Sequence, residues 1–224
     1  HAESYRKIRN TFRYLLGNIN DNNEEINLEK LDVKNLPELE QFMLHKIYLL
    51  DENFKRYFKN YDFHNLYKEL LNFCTTDLSA FYFDIRKDVL YCDPKQSKKR
   101  KSTLVLLNII LNSLLKWFAP ILAFTTEEIY QLISKKKKSI HLEKFIEFPI
   151  NFKNDNLNSK WLDLIKIRDM CNLSIEEKRA EKIIGSSLEA SIKIRLDEER
   201  FKIFNNIDFA ELCITSSAQI DQSE

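Results

Sequence analysis

Leu104-Val105-Leu106-Leu107-Asn108-Ile109-Ile110-Leu111-Asn112-Ser113-Leu114-Leu115-Lys116-Trp117-Phe118-Ala119-Pro120-Ile121-Leu122-Ala123-Phe124 is the stretch on which the fold class turns. Its apolar content admits two readings, a membrane span or a buried core helix. Asn108, Asn112 and Lys116 interrupt the run, and Pro120 ends it by removing a backbone donor and clashing with the preceding turn. The residues before Pro120 make only about four helical turns, short of the ~20 residues a span needs. The stretch therefore reads as a core helix up to Ala119, and a core helix of that length requires other helices to cover it.

Those helices are legible on both sides. Upstream, Ile8, Phe12, Leu15, Leu16 and Ile19 recur at helical spacing from Tyr5, and Gly17-Asn18 predicts a C-cap. A polar loop, 20–35, separates this helix from one that starts at Asn35-Leu36-Pro37-Glu38 and carries Leu39, Phe42, Met43, Ile47, Leu50, Phe54 and Phe58. Asp62 predicts the cap of a third helix, with Leu66, Leu70, Cys74, Leu78, Phe81 and Ile85 inward, running to about Val89 with a bend near Thr75-Thr76. Downstream of Pro120, Thr125-Thr126-Glu127-Glu128 predicts a capping box, with Phe124 and Ile129 as its staple, for a fifth helix ending at Ser134.

From Lys135 to Ser159 periodicity fades, and the stretch reads as an irregular linker over the bundle surface. A long helix follows from Trp161 to about Lys182, stopped by Gly185, with Trp161, Leu164, Ile165, Cys171 and Ile175 inward. The period then switches to two. Leu188, Ala190, Ile192, Ile194 and Leu196 alternate with polar residues as a half-buried strand; Asp197–Phe204 reads as a short helix and Leu212–Thr215 as a second strand. Two strands rarely hold a sheet alone, so this piece reads as truncated. The opening His1-Ala2-Glu3, with no initiator Met and already in helical pattern, likewise points to excision from a longer polypeptide. The expected organisation is mainly α: a helical bundle over 1–134, a linker over 135–159, a long helix over 160–184 returning to the bundle, and a small incomplete α+β subdomain over 185–224.

Composition removes several functions. Two glycines, Gly17 and Gly185, cannot build a phosphate-cradling loop, which needs several close together. Cys74, Cys92, Cys171 and Cys213 lack C-x-x-C spacing, and His45, His64 and His141 are scattered, so no metal site is expected and no catalytic residue can be assembled. Cys74 and Cys171 fall on apolar helical faces, as reduced core thiols of a cytosolic protein would. No signal peptide opens the chain. Basic and acidic residues number 35 and 34, for a net charge of +1, so any nucleic-acid contact must rest on local patches.

Three patches qualify. Arg6, Arg9 and Arg13, with Asn10 beside them, form a row about 100° around the first helix from its apolar stripe. Guanidinium forks on a rigid rod suit phosphate oxygens. Lys95, Lys98, Lys99, Arg100 and Lys101 precede the core helix, and Lys135–Lys138 follow the fifth. Each also reads as an ordinary solvated surface. Asp77, Asp84 and Asp88 read as a solvated acidic face rather than a catalytic pair.

Tyr5-Arg6-Lys7-Ile8-Arg9-Asn10-Thr11 with Arg13-Tyr14-Leu15-Leu16-Gly17-Asn18 resembles the helix that opens the anticodon-binding domain of class I aminoacyl-tRNA synthetases of the isoleucine, valine and leucine group. Pro120-Ile121-Leu122-Ala123-Phe124-Thr125-Thr126-Glu127-Glu128-Ile129 fits that group as a whole. Asp77-Leu78-Ser79-Ala80-Phe81-Tyr82, with Lys87-Asp88 and Leu90-Tyr91-Cys92-Asp93, is similar to the isoleucyl-tRNA synthetases in particular. So is Ile184-Gly185-Ser186-Ser187-Leu188-Glu189-Ala190, preceded by Arg168-Asp169 and Lys178-Arg179. The matches keep the family's order over roughly residues 3–220.

The resemblance implies a helical anticodon-binding region whose partners are the anticodon stem-loop of isoleucine tRNA and the remainder of a parent synthetase, in a cytoplasmic monomer. It implies that Arg6, Arg9, Asn10 and Arg13 meet the RNA, with Lys98, Lys99, Arg100, Lys178 and Arg179 as a second tier; Tyr5 and Trp161 read as core-filling. ATP and magnesium would serve the parent, through a HIGH-type sequence and a KMSKS-type loop that this chain lacks. The fragment is therefore expected to be inactive, without a cofactor of its own. Gln96-Ser97-Lys98-Lys99-Arg100-Lys101-Ser102 echoes that loop only by coincidence, since it lies between bundle helices without the Met. Zinc would belong to a cysteine module of the parent alone. Two alternatives stay open: the same domain from a sister, valyl-type synthetase, and a helical protein-interaction scaffold.

Overall fold

The computed structural model describes residues 2–19, 26–134 and 138–223, so the first residues of the polar loop and most of the Lys135–Lys138 run lie outside the described residues. The chain divides into two compact units, His1–Asp155 and Asn156–Glu224. The irregular stretch after the fifth helix thus falls almost wholly in the first unit, and nearly all of the long helix in the second.

In the first unit, α1 (Ala2–Ile19) buries Ile8, Thr11, Phe12, Leu15 and Ile19. Contrary to the sequence reading, Gly17-Asn18 does not cap it. No glycine here has positive φ, and the helix continues until Ile19 is buried. Asn18 meanwhile donates its side-chain amide to the Tyr14 carbonyl at 2.9 Å. α2 (Glu38–Lys59) ends in a tight reversal, with the Asp62 amide donating to Tyr57 O at 2.9 Å and the Tyr61 amide to Phe58 O at 3.2 Å. Tyr61 takes the left-handed position, φ 56°, that glycine usually fills, and is 81% exposed. The carboxylate of Asp62 then accepts from the Asn65 amide and starts α3 (Phe63–Asn72), as expected.

At Thr75-Thr76 the structure shows not a bend but a π-helical segment, Phe73–Tyr82, which passes directly into α4 (Phe83–Cys92). Thr75 Oγ1 donates to Leu71 O and Ser79 Oγ to Cys74 O, both at 2.9 Å, so side chains occupy carbonyls along the loosened ladder. α5 (Lys98–Phe118) is the core helix, capped by Ser97 and buried at thirteen positions from Ser102 to Phe118. No helix among the described residues is long and apolar enough to cross a membrane.

α6 (Ala123–Ile133) starts two residues before the predicted capping box. The turn out of α5 carries the Leu122 amide to Phe118 O at 2.7 Å and delivers the chain straight into helix. Thr126 is therefore interior, bonding Leu122 O, and Phe124 is 93% exposed instead of stapled. Glu127 reaches sideways to accept from Ser139 Oγ and the Ile140 amide, both at 2.9 Å. Beyond Lys138 the chain is pinned by two 3₁₀ turns, Ile140–Leu142 and Ile150–Phe152, which bury Ile140 and Phe152.

Three polar ties cross this apolar core. Glu40 of α2, fully buried, accepts from Arg86 Nε at 2.7 Å, Arg86 Nη2 at 2.8 Å, Tyr82 Oη at 3.0 Å and Thr103 Oγ1 at 3.2 Å. Asp51, also on α2, accepts from Trp117 Nε1 of α5 at 3.1 Å and Lys55 Nζ at 2.9 Å. Burial pushes the Asp51 carboxyl up, against those two bonds. His45 Nδ1 accepts the Asn154 amide at 2.9 Å, and burial lowers the imidazole pKa from 6.5.

The second unit contains most of α7 (Asp155–Ala180), β1 (Ser191–Leu196), α8 (Glu198–Phe204), α9 (Phe209–Cys213) and β2 (Ser217–Gln222). α7 ends earlier than predicted. Lys182, not Gly185, takes the left-handed position at φ 58°, while Gly185 donates its amide to Glu189 Oε2. β1 begins at Ser191 because Ser186 turns Ser187–Glu189 into a 3₁₀ element, leaving Leu188 exposed. The predicted strand Leu212–Thr215 is absent. Asp208 caps α9 through the Glu211 amide at 3.0 Å, burying Phe209, Leu212 and Cys213, and Ile214 at φ 56° redirects the chain. β2 pairs parallel with β1, Ser191 opposite Ser217 and Ile194 opposite Ile220, with α8 and α9 as the crossover a parallel pair requires.

Two outcomes follow from the buried groups. Arg86→Met strands the Glu40 carboxylate and should cost about 3–5 kcal/mol in urea unfolding. The double variant Glu40→Met/Arg86→Met should recover most of it; an Arg86→Met chain of unaltered midpoint would contradict the tie. For His45, the folded pKa lies below the unfolded 6.5, so between those values the unfolded chain holds the extra proton. Its contribution to stability is complete above pH 6.5 and declines as the pH falls through that window. His45→Gln should flatten the dependence in thermal melts between pH 7 and 5, and an identical slope in both proteins would refute it.

Candidate nucleic-acid interface

α1 is held by its inner stripe. Phe12 meets Phe118 edge-on at 6.1 Å between ring centroids, and Tyr14 stacks on Phe83 at 4.2 Å. At the N-terminal end Tyr5 Oη lies 3.1 Å from Thr125 Oγ1, so Tyr5 is neither fully buried nor free. Burial raises the Tyr14 hydroxyl pKa, and that oxygen has no hydrogen-bond partner among the described residues. With Ile8, Phe12 and Leu15 inward, helical geometry turns Arg6, Arg9, Asn10 and Arg13 outward, and all four are exposed.

None of the four makes a hydrogen bond or ion pair with another described residue; the nearest ion pair on the helix, Lys7 with Glu3 at 3.2 Å, uses other side chains. Arg6 and Arg13 stand about 10 Å apart along the axis at 1.5 Å per residue. The face thus presents three guanidinium groups, with no acidic partner among the described residues, and one amide on a rotationally fixed rod. Such groups hold phosphate oxygens by paired, charge-assisted bonds and can reach more than one phosphate at once.

The start of α5 is a different kind of place. Arg100 Nη1 donates to Asp93 O at 2.6 Å, and Ser97 Oγ donates to Asp93 Oδ2 at 2.8 Å while accepting from the Arg100 amide. Arg100 therefore clasps the α4–α5 loop. Lys98 Nζ donates to Asn35 Oδ1 at 2.5 Å and stays exposed, and Lys99 is half-buried. The Asn35 contact brings the turn holding exposed Lys34 against this basic helix start. Sequence reading missed Lys34, since nothing local signals a contact between residues 63 apart.

Lys178 and Arg179 lie in the second unit, each in a surface pair with a nearby glutamate: Lys178 with Glu181, just past the end of α7, at 2.7 Å and Arg179 with Glu176 at 2.6 Å. The Glu181 bond raises the Lys178 pKa. Exposed pairs of this kind are weak enough to exchange partners. Of the nine residues singled out from sequence, four share one open face on α1, three cluster at the start of α5 with Arg100 committed to structure, and two sit on α7. Among the described residues no group of three or more His, Cys, Asp or Glu could hold a metal ion.

Residues 40–194 match the family described as the anticodon-binding domain of tRNA ligase. Across its whole length the chain is 67% identical over 223 residues to an isoleucine–tRNA ligase of Pelagibacter ubique, of which it covers 25%. It is 41% identical over 222 residues, 98% of the chain, to the isoleucine–tRNA ligase of Agrobacterium fabrum, covering 22% of that protein. The corresponding protein of Zymomonas mobilis is 39% identical over 224 residues, 98% of the chain and 24% of the relative. The chain thus spans about a quarter of the length of these relatives.

Proposed function

Because this chain belongs to the anticodon-binding domain family of tRNA ligases, we propose that it is the anticodon-reading region of an isoleucine–tRNA ligase. In this reading it meets the RNA through the outer face of α1. The observation that carries the proposal is the row Arg6, Arg9 and Arg13, exposed and without partners among the described residues, on a helix whose opposite face is locked into the core. Isoleucine–tRNA ligases at 67% and 41% identity support isoleucine tRNA as the substrate class.

The roles divide by chemistry. Arg6, Arg9 and Arg13 neutralise backbone phosphates and set the register of the stem-loop, while Asn10, with both a donor and an acceptor, can address a base edge or a ribose hydroxyl. Lys98, with Lys34 and Lys101 nearby in sequence or contact, supplies a diffuse positive field that steers the RNA. Lys99 adds to that field, and Arg100 acts by holding the loop's shape. Lys178 and Arg179 exchange their glutamate partners for phosphates. Aminoacylation, with ATP and magnesium, belongs to the parent ligase in the cytoplasm; this chain supplies no cofactor contact and acts as a monomer.

Titration of labelled isoleucine tRNA against the chain at several salt concentrations tests this directly. Binding should weaken steeply with salt as counterions are released. Arg6→Ala/Arg9→Ala/Arg13→Ala together should lower the log–log salt slope by about 2–3, with helix content unchanged by circular dichroism. An unchanged isotherm in the triple variant removes the α1 proposal, and failure to bind any tRNA at low salt favours a protein-interaction scaffold. The chain alone should also give no isoleucine-dependent ATP–pyrophosphate exchange; measurable exchange would contradict its assignment as a non-catalytic region.

A further inference from the structure

Two of the four cysteines lie together in the second unit, although 41 residues separate them in sequence. Cys171 is on α7 and Cys213 ends α9, and their thiols are in hydrogen-bonding contact. The juxtaposition is anchored one turn away. Arg168 of α7, buried, donates Nε to Leu212 O at 2.9 Å, fixing α7 against the residue before Cys213. The two sulfurs differ in access. Cys213 is 3% exposed, whereas Cys171 is half-buried and lines a cavity of about 780 Å³ with Met170, Ser174, Ile192 and Ile194. Neither is bonded to another cysteine.

We propose that Cys171 and Cys213 form a peroxide-sensitive dithiol that closes reversibly into a disulfide between α7 and α9. The hydrogen bond from Cys213 lowers the Cys171 pKa against the effect of burial, while that same contact, followed by burial, raises Cys213. Cys171, half-buried on the cavity wall, is the sulfur that peroxide can reach and so the attacking one, and Cys213, buried behind it, is the resolving thiol. The Cys171 sulfur attacks one oxygen of hydrogen peroxide; the O–O bond breaks, hydroxide leaves and takes up a proton as water, and Cys171 becomes a sulfenic acid, oxidised by two electrons. Cys213 then attacks the Cys171 sulfur. The S–S bond forms, the S–O bond breaks, and the departing hydroxyl leaves as a second water with the proton from Cys213. Two thiols and one peroxide give one disulfide and two waters, and an external dithiol reverses the change.

Closure would join α7, which precedes β1, to α9, the last helix of the β1–β2 crossover, and shorten the unfolded chain's effective length, raising thermal stability. Cys92, exposed on the first unit, serves as an internal comparator. After limiting hydrogen peroxide, non-reducing peptide mapping should find the Cys171 peptide linked to the Cys213 peptide before Cys92 is consumed. The melting temperature should rise and return on adding dithiothreitol. Cys213→Ala should leave Cys171 as a sulfenic acid that dimedone traps, which needs no disulfide and so survives any packing change at Cys213. Oxidation confined to Cys92, or a Cys171 that neither links to Cys213 nor yields a dimedone adduct in the variant, would overturn the proposal.

Discussion

Glu40 lies wholly buried among helices, and a carboxylate in that position is tolerable only if every lone pair finds a donor. Arg86 supplies two bonds, Tyr82 and Thr103 one each. The donors come from the end of the π-helical segment, from α4 and from α5, so satisfying one carboxylate fixes where three elements stand relative to α2. The π-helical segment bears on this directly, because its wider hydrogen-bond ring shifts the phase at which Tyr82 and Arg86 leave the rod. Apolar packing favours burial of these helices in many arrangements; the Glu40 network selects one.

That selection reaches the surface through α1. Its stripe is received by Phe118 of α5 and Phe83 of α4, two helices whose positions the Glu40 network sets. Once those rings engage, α1 cannot rotate without exposing Ile8, Phe12 and Leu15, and the arginine row is committed to the outside. No acidic side chain among the described residues turns back to neutralise it. Elsewhere among the described residues cations do meet acidic partners, as Lys46 with Asp77, Lys55 with Asp51 and Glu147, and Lys193 with Asp221 show.

Much of this is legible in the amino-acid sequence. Wherever apolar residues recur over several turns, as in α1, α2 and α5, the helix and its buried face follow from spacing alone. The misses have a common physical source: local signals were overruled by contacts distant in sequence. Gly17-Asn18 looked like a cap, but burial of Ile19 extended the helix. Thr125–Glu128 looked like a helix start, but the turn at Pro120 had already begun α6, and Glu127 was drawn to Ser139 and Ile140 instead. Leu212–Thr215 carried strand-like residues, yet the Asp208 cap and the Phe209–Leu212–Cys213 spacing made a helix. For the interface, the arginine row was visible from its spacing, whereas the commitment of Arg100 to Asp93 and the approach of Lys34 to Lys98 through Asn35 depend on the folded α4–α5 loop.

In the proposed role, the open α1 face belongs to a surface that distinguishes one anticodon from others, beyond a general attraction to RNA. Competition binding between isoleucine tRNA and the same tRNA with its anticodon exchanged addresses that most directly, since charge and stem geometry are held constant. The exchanged tRNA should compete more weakly, with the gap persisting as salt is raised. Equal competition by the two RNAs at every salt concentration would contradict it.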